Sequence, residues 1–193
     1  MQTKNKEKRT SMKMYEEMLR TRRLFIFNDI DQNIVGRLIE LIGAMSLAGA
    51  TDAELVIDSS GGSNEAALHL YDVIKGSGIR FRGLVMAKCM SSAVTVLQAC
   101  EVRHAMPHAR FLVHGLTRRL EHVLSADSSL EKIIKMLTEA YDRIKLAESN
   151  HKKIIRLRLK DQKKFDEFYK SDEVFCAYTA LDIGLIDKVV TQA

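Results

Sequence analysis

Two positions in the chain have the residue types and the local context for nucleophilic chemistry. Ser91 directly follows an apolar, strand-like stretch and precedes a short segment of small and apolar residues with helical character. A hydroxyl at such a junction is exposed and faces the positive end of the helix, so it could act as a nucleophile. His114 ends another strand-like stretch and could accept the proton if the two strand ends converge. A serine before a helix is more commonly only an N-cap, and that alternative stays open.

A glycine-rich loop, Ser60-Gly61-Gly62-Ser63, is a third candidate feature. It follows the apolar run Leu55–Ile57 and precedes a helical pattern. Glycines let backbone N–H groups approach an anionic group without a Cβ in the way. The loop lacks the Lys-Ser/Thr pair of a phosphate-binding loop and the G-x-G-x-x-G pattern of a dinucleotide site. It therefore indicates either an anion-holding loop or a plain turn.

Strand-like and helical patterns alternate through the first two thirds of the chain. The segments are Leu24–Phe27, Asn33–Ala50, Leu55–Ile57, the helix that follows Ser63, Phe81–Ala87, Ser91–Ala99 and Phe111–Val113. We expect a turn over Lys88–Met90, between the third strand and its helix. This alternation predicts a layered α/β domain whose functional groups gather at the strand ends.

The last third of the chain has a different pattern. Apolar residues recur at alternating steps of four and three on a long charged helix, at Leu130, Ile134, Leu137, Tyr141 and Ile144. Such a seam packs either on its own domain or on a second chain, and the spacing does not separate the two. Beyond it, Thr179–Asp182 is predicted as a helical turn capped by Gly184, followed by a strand over Leu185–Val190.

Composition limits the classes of protein that the chain could belong to. It has 193 residues, of which 46% are hydrophobic and 28% charged, as expected for one folded domain. No run approaches the roughly 18 apolar residues of a membrane span, and Met1–Arg23 lacks the apolar stretch of a signal peptide. We therefore expect a cytoplasmic protein with no membrane contact.

The charge and the cysteines exclude further classes. Residues 1–23 contain eight Lys or Arg and three Asp or Glu, which accounts for the net charge of +5, and the remainder is neutral. We expect a basic tail or docking arm there and no nucleic-acid binding. The three cysteines, Cys89, Cys100 and Cys176, have no metal-binding spacing, so neither a metal nor a cofactor is expected.

Six blocks, in this order along the chain, resemble the proteolytic subunit of the caseinolytic (Clp) protease family, within the broader crotonase-like fold. The blocks are Arg23 to Ile30, Ile57 to Ser63, Tyr71-Asp72, Ala87 to Ala93, Arg103 to His114, and Ala180 to Asp187. Each block is modest, but their joint order is specific and spans nearly the whole chain.

The resemblance implies a serine endopeptidase. Ser91 would attack the peptide carbonyl and His114 would transfer the proton, while the backbone N–H groups of Gly61 and Ser92 would form the oxyanion hole. A long helical handle in this family joins stacked rings of subunits around a chamber, which implies a homo-oligomer acting on unfolded protein or peptide. The basic segment would face an axial pore fed by an ATP-driven AAA+ unfoldase.

Three departures from the family pattern bear on the site. The longer spacing of the main branch, counted back from His114, would put Cys89 in the place of the nucleophile; we prefer Ser91 because it keeps the flanking strand and helix in register. The ungapped position of the family's aspartate is Phe168, so we choose the nearby Asp172, with Asp166 and Asp161 as alternatives. Finally, Ser59-Ser60 replaces the usual Ser-Pro before the two glycines.

We expect one Clp-protease-like domain over 24–193, after the basic segment 1–23. Its head comprises 24–120 and 172–193, and its helical handle about 121–171. Two functional alternatives stay open: a virus-type peptidase that acts without an ATPase, and a catalytically inactive ring subunit that serves as scaffold. A crotonase-type acyl-CoA enzyme would share the fold, but Ser91 and His114 would then have no common task.

Overall fold

The computed structural model describes residues 13–115 and 129–191 of the chain. The strands are β1 (Arg23–Ile26), β2 (Asp52–Ser59), β3 (Arg80–Met90), β4 (Val102–Ala105), β5 (Arg110–Leu112), β6 (Phe175–Cys176) and β7 (Lys188–Val189). The helices are α1 (residues 13–21), α2 (Gln32–Leu47), α3 (Asn64–Gly76), α4 (Ser92–Ala99), α5 (Leu130–Arg156), α6 (Gln162–Ser171) and α7 (Ala177–Asp182). The predicted α/β class is confirmed.

The sheet positions the ends of β3 and β5 next to each other. Its main order is β1-β2-β3-β4-β7, with parallel pairing throughout this path. Strand β3 changes neighbours along its length: Arg82–Val85 pairs with β4, whereas Lys88–Met90 pairs with β5, again in parallel. Strand β6 then pairs with β5 in the antiparallel sense. The extension of β3 therefore places its last residues beside the strand that leads to His114.

Helix α4 lies wholly inside the core. All eight of its residues are buried, and they are small or apolar apart from Ser92, Thr95 and Gln98. A helix that is apolar nearly all round is covered on every side, here by helices α3 and α5 and the sheet. The segment that begins at Ser91 is therefore a fixed part of the fold.

Two local predictions are wrong. The predicted turn at Lys88–Met90 is a continuation of β3. These residues pair with β5, and the polar Lys88 gave no sign of this pairing in the sequence. Strand β4 was not predicted, because Arg103 and His104 interrupt its apolar character. Arg103 is only 2% exposed, and hydrogen bonds satisfy its buried guanidinium. It donates to the Asp187 carboxylate at 2.6 Å and to the Gln98 amide oxygen at 2.5 Å.

The apolar seam of α5 is exposed along its first part. Leu130, Ile134, Leu137 and Tyr141 are 72%, 56%, 43% and 56% exposed. The interpretation in which these residues pack on their own domain is wrong, so the alternative of a second chain remains. Farther along, His151 and Ile155 are fully buried, so only the C-terminal part of α5 belongs to the core.

Two further expectations concern the basic segment and the lack of a membrane span. Most of the basic segment, residues 1–12, lies outside the described residues, as do residues 116–128, which span the end of the first part of the predicted head and the start of the predicted handle. Within 13–115 and 129–191, no helix has both the length and the apolar character needed to cross a membrane.

Candidate active site

The pairing of β3 with β5 brings Ser91 and His114 to the same edge of the sheet. Met90 is the register partner of Leu112, and the Ser91 N–H donates to the Leu112 carbonyl at 2.8 Å. His114 lies two residues beyond Leu112, and adjacent strands are roughly 5 Å apart. Both residues are half-buried. No hydrogen bond joins the Ser91 hydroxyl to the His114 ring among the described residues of this single chain.

The backbone of Ser91 has an unusual conformation. Its φ of 53° and ψ of −128° lie in a region that non-glycine residues rarely adopt, at a typical cost of about 1–3 kcal/mol. Its side chain makes no capping hydrogen bond to α4. The N-cap interpretation of Ser91 is therefore wrong: the hydroxyl does not cap α4, and it stands in the sharp turn between β3 and the positive end of that helix.

The first glycine of the loop packs against this turn. Gly61 has φ of 100°, and a Cβ there would lie 2.8 Å from the Ser91 Cβ and 2.7 Å from the Met90 carbonyl oxygen. Backbone hydrogen bonds hold the loop in place, since the Ile30 N–H donates to the Gly61 carbonyl at 2.7 Å. Only glycine fits this approach, so the contact between the loop and the Ser91 turn depends on the residue type at position 61.

The two N–H groups that were predicted to form the oxyanion hole differ in whether they already donate a hydrogen bond. The Ser92 N–H opens α4, where early N–H groups have no partner within the helix, and its nitrogen is 3.1 Å from the position of a Gly61 Cβ. The Gly61 N–H, however, donates to the Ser59 hydroxyl at 3.1 Å, and that hydroxyl donates to the Asn28 carbonyl at 2.7 Å. To hold an oxyanion, the Gly61 N–H would have to leave Ser59 or be shared.

The three candidate acids differ in whether their carboxylates already accept a hydrogen bond or form an ion pair. Asp161 caps α6 by accepting from the Lys164 N–H at 2.9 Å, and Asp166 forms an ion pair with Arg156. Asp172 is exposed at the C-cap of α6, in a left-handed conformation with φ of 54°, and its own N–H donates to the Phe168 carbonyl. Among the described residues, its carboxylate forms no ion pair and no hydrogen bond, including none to His114.

The alternative nucleophile, Cys89, lies in the core. It is fully buried in β3, and burial, with a smaller contribution from Cys100, raises the pKa of its thiol. Burial also raises the pKa of Cys100 to about 12. Both thiols therefore stay protonated at neutral pH, and a buried, protonated thiol is a poor nucleophile.

The structure reveals one polar residue near the site, His151, that the sequence analysis did not single out. His151 on α5 is fully buried, and its Nδ1 lies 2.5 Å from Thr95 Oγ1. Burial, followed by the charge of the nearby His114, lowers the pKa of His151 to about 4. A signal existed in the sequence: the steps of four and three that define the α5 seam continue from Ile144 through Glu148 to His151.

An open groove adjoins the glycine loop. It has a volume of about 440 Å³, and its wall includes Phe27, Asp29, Ser60 and Lys88. The Lys88 ammonium donates to the Ser60 hydroxyl at 2.9 Å. The groove therefore reaches the residue next to Gly61 and contains groups of both charges.

Comparison with known proteins places the chain in a family. Residues 5–193 match the family model for Clp protease. The ATP-dependent Clp protease proteolytic subunit 1 of Corynebacterium jeikeium is 27% identical over 183 residues, covering 93% of each chain. Subunit 2 of Thermobifida fusca is 29% identical over 196 residues, covering 93% of this chain and 87% of its own. Subunit 2 of Chlamydia pneumoniae is 27% identical over 186 residues, covering 95% and 87%.

The α/β fold combines a strained serine at a strand-to-helix turn, a glycine packed against that turn, and a histidine just beyond β5. The chain belongs to the Clp protease family. The predicted family is confirmed, and with it the crotonase-like fold and the class of serine-type peptidase.

Proposed function

We propose that the chain hydrolyses peptide bonds with Ser91 as the nucleophile, His114 as the general base and Asp172 as the group that orients the imidazole. The observation that carries this proposal is the backbone of Ser91, whose φ of 53° keeps the hydroxyl out of a capping role. Strained non-glycine conformations cluster at active sites, where the surrounding structure maintains them. The parallel pairing of β3 with β5 supports the choice of His114 as its partner.

The reaction follows from these positions. Ser91 Oγ attacks the peptide carbonyl while His114 takes the hydroxyl proton, and the carbonyl oxygen becomes an oxyanion. The Ser92 N–H stabilises this charge together with the Gly61 N–H, once the latter turns from Ser59 to the substrate. One such donor typically contributes about 3 kcal/mol to lowering the barrier. His114 then protonates the leaving amine, and water, activated by the same histidine, releases the acyl group from Ser91.

We choose Asp172 because the carboxylates of the other two candidate acids already have partners. Asp161 and Asp166 already have structural partners in Lys164 and Arg156, whereas Asp172 has none among the described residues. Asp172 also lies near enough to Tyr169 for its charge to contribute to the raised pKa of that phenol, behind burial and Glu148. Tyr169 in turn lies 6.4 Å, centroid to centroid, from His151. Asp172 thus lies near the Tyr169–His151 pair, and the charge of His114 also reaches His151.

The assembly that we propose is a homo-oligomer of stacked rings that encloses the active sites and admits unfolded protein or peptide. The exposed seam of α5, with Leu130 72% and Ile134 56% exposed, supports a contact between copies through this helix. The relatives are named ATP-dependent, which supports an AAA+ unfoldase as the partner that delivers substrate. We also propose a cytoplasmic location, where such an unfoldase would have ATP.

An inactive scaffold subunit is the second candidate. It is favoured by the engagement of the Gly61 N–H with Ser59 and by the missing bond between Ser91 and His114 in the single chain. Catalytic hydrogen bonds are often long before substrate binds, so the peptidase remains the proposal.

Labelling by a fluorophosphonate separates the candidates. We expect the wild-type chain and Cys89→Ala to react, and Ser91→Ala to lose both labelling and peptide hydrolysis. Labelling that survives Ser91→Ala would overturn the proposal, and a purified ring that never reacts would favour the scaffold. Casein degradation with and without ATP and a co-purified unfoldase would then distinguish an ATP-dependent protease from a virus-type peptidase.

A further inference from the structure

A buried polar contact connects the helix of the candidate nucleophile to the long helix α5. The contact joins Thr95 Oγ1 to His151 Nδ1 at 2.5 Å, and both residues are 0% exposed. Thr95 is about one helical turn beyond Ser91, and His151 lies within the last two turns of α5. The contact therefore fixes the first turn of α4 to the only part of α5 that reaches the core.

Packing alone does not explain these residue types. Buried polar groups destabilise a fold unless they are hydrogen-bonded, so valine and leucine would fill the two positions at less cost. The second ring nitrogen of His151, Nε2, is also buried and has no hydrogen-bond partner within residues 13–115 and 129–191. A polar pair with one unsatisfied atom, directly behind a candidate active site, calls for a role beyond filling space.

We infer that Thr95 and His151 are positioning residues for Ser91, holding α4 so that the hydroxyl and the Ser92 N–H keep their places. The inference rests on the proposed function of Ser91. The strained turn is fixed at the backbone by two bonds, from the Ser91 N–H to Leu112 at 2.8 Å and from the Val94 N–H to the Ser91 carbonyl at 3.0 Å. Packing holds α4 in the core, and the Thr95–His151 bond adds a directional restraint one turn after Ser91 that apolar packing does not supply.

Burial, with the charges of His114 and Lys152, favours a neutral His151 ring, and the Glu148 carboxylate opposes it. Glu148 and Lys152 face it from its own helix, His114 from beyond β5, and Tyr169 from α6. Burial and the His114 charge lower the pKa of His151, so its ring is uncharged at neutral pH. A cation at His151 would oppose the charge that His114 gains when it takes the Ser91 proton. The hydrogen bond to Thr95 thus holds α4 without adding a charge beside the base.

Two matched pairs of substitutions test the inference. Thr95→Val keeps the shape and removes the hydroxyl, whereas Thr95→Ser keeps the hydroxyl and removes a methyl group. His151→Asn keeps a polar atom near the place of Nδ1, whereas His151→Leu removes it. We expect Thr95→Val and His151→Leu to lower kcat, and the rate of fluorophosphonate labelling, about tenfold with KM unchanged, the order expected for one lost hydrogen bond. Thr95→Ser and His151→Asn should stay within about threefold of the wild type.

Melting temperature and ring size, measured on the same samples, distinguish positioning from a loss of fold. Equal labelling rates for Thr95→Val and Thr95→Ser would overturn the inference. So would losses that follow melting temperature across all four variants, because a purely structural role predicts that outcome. Labelling that persists in Ser91→Ala would instead refute the proposed function, and the two failures are therefore distinguishable.

Discussion

The buried histidine His151 makes the stability of the fold depend on pH in a way that can be calculated. Burial and the neighbouring His114 lower the pKa of His151 from 6.5 to about 4. Between these values the unfolded chain binds a proton at this residue and the folded chain does not. Stability therefore falls as the pH is lowered through this interval. At about 1.4 kcal/mol per pH unit, the loss from this one group is about 3 kcal/mol.

The comparison that isolates this effect is between the wild type and His151→Asn. Most other titrating groups are present in both proteins and cancel in the difference. Glu148 keeps its main cause of a lowered pKa, the hydrogen bond from Lys152, and loses only the smaller contribution of the His151 charge. We expect the wild type to lose about 3 kcal/mol more than the variant between pH 7.5 and pH 4. Urea unfolding at one fixed protein concentration is the assay, since assembly also contributes to stability.

A contrary result is equally clear. If the free-energy difference between the two proteins stays constant across this pH range, His151 does not resist protonation in the folded state. The contact with Thr95 would then not be the buried, neutral pair described above, and the argument for positioning Ser91 would lose its electrostatic part.

Three further predictions concern the turn, the core ion pair and the assembly surface. Ser91→Gly should abolish hydrolysis yet stabilise the fold by about 1 kcal/mol in urea unfolding, because glycine adopts a φ of 53° without strain; a destabilised variant would contradict the strain. Asp187→Ala should destabilise the fold by about 3 kcal/mol or more, because Arg103, 2% exposed, loses its partner. Glu17→Ala, which removes a fully exposed ion pair, serves as its control and should leave the free energy of unfolding nearly unchanged. Ile134→Glu should reduce the oligomer measured by size-exclusion chromatography, because it puts a charge on the exposed apolar seam; an unchanged oligomer would exclude this seam as the contact.

The sequence predicted those parts of the fold where local pattern and tertiary structure agree. The strand before Ser91 and the helix after it were found because small and apolar residues follow each other there, and the helix of α5 because its seam is regular. The extension of β3 over Lys88–Met90 was missed, because its hydrogen bonds come from β5, a strand distant in sequence. Strand β4 was missed because Arg103 looks like a surface residue until Asp187 is placed beside it.

The candidate site also has features that the sequence predicted and features that it did not. Ser91, His114 and Gly61 could be proposed from the sequence because their types and their places at strand ends are visible there. The strained turn at Ser91 and the bond from the Gly61 N–H to Ser59 depend on backbone angles that residue types alone do not fix. The sequence also does not identify Thr95 as the partner of His151, because that contact depends on how α5 packs against α4.

The most direct test of the central claim is to locate the covalent adduct after reaction with a fluorophosphonate. Wild-type protein is labelled, digested, and its peptides are sequenced by mass spectrometry. The account predicts a single adduct on the oxygen of Ser91, in the peptide that also contains Cys89. An adduct on any other residue, or a folded oligomer that takes up no label, would contradict it.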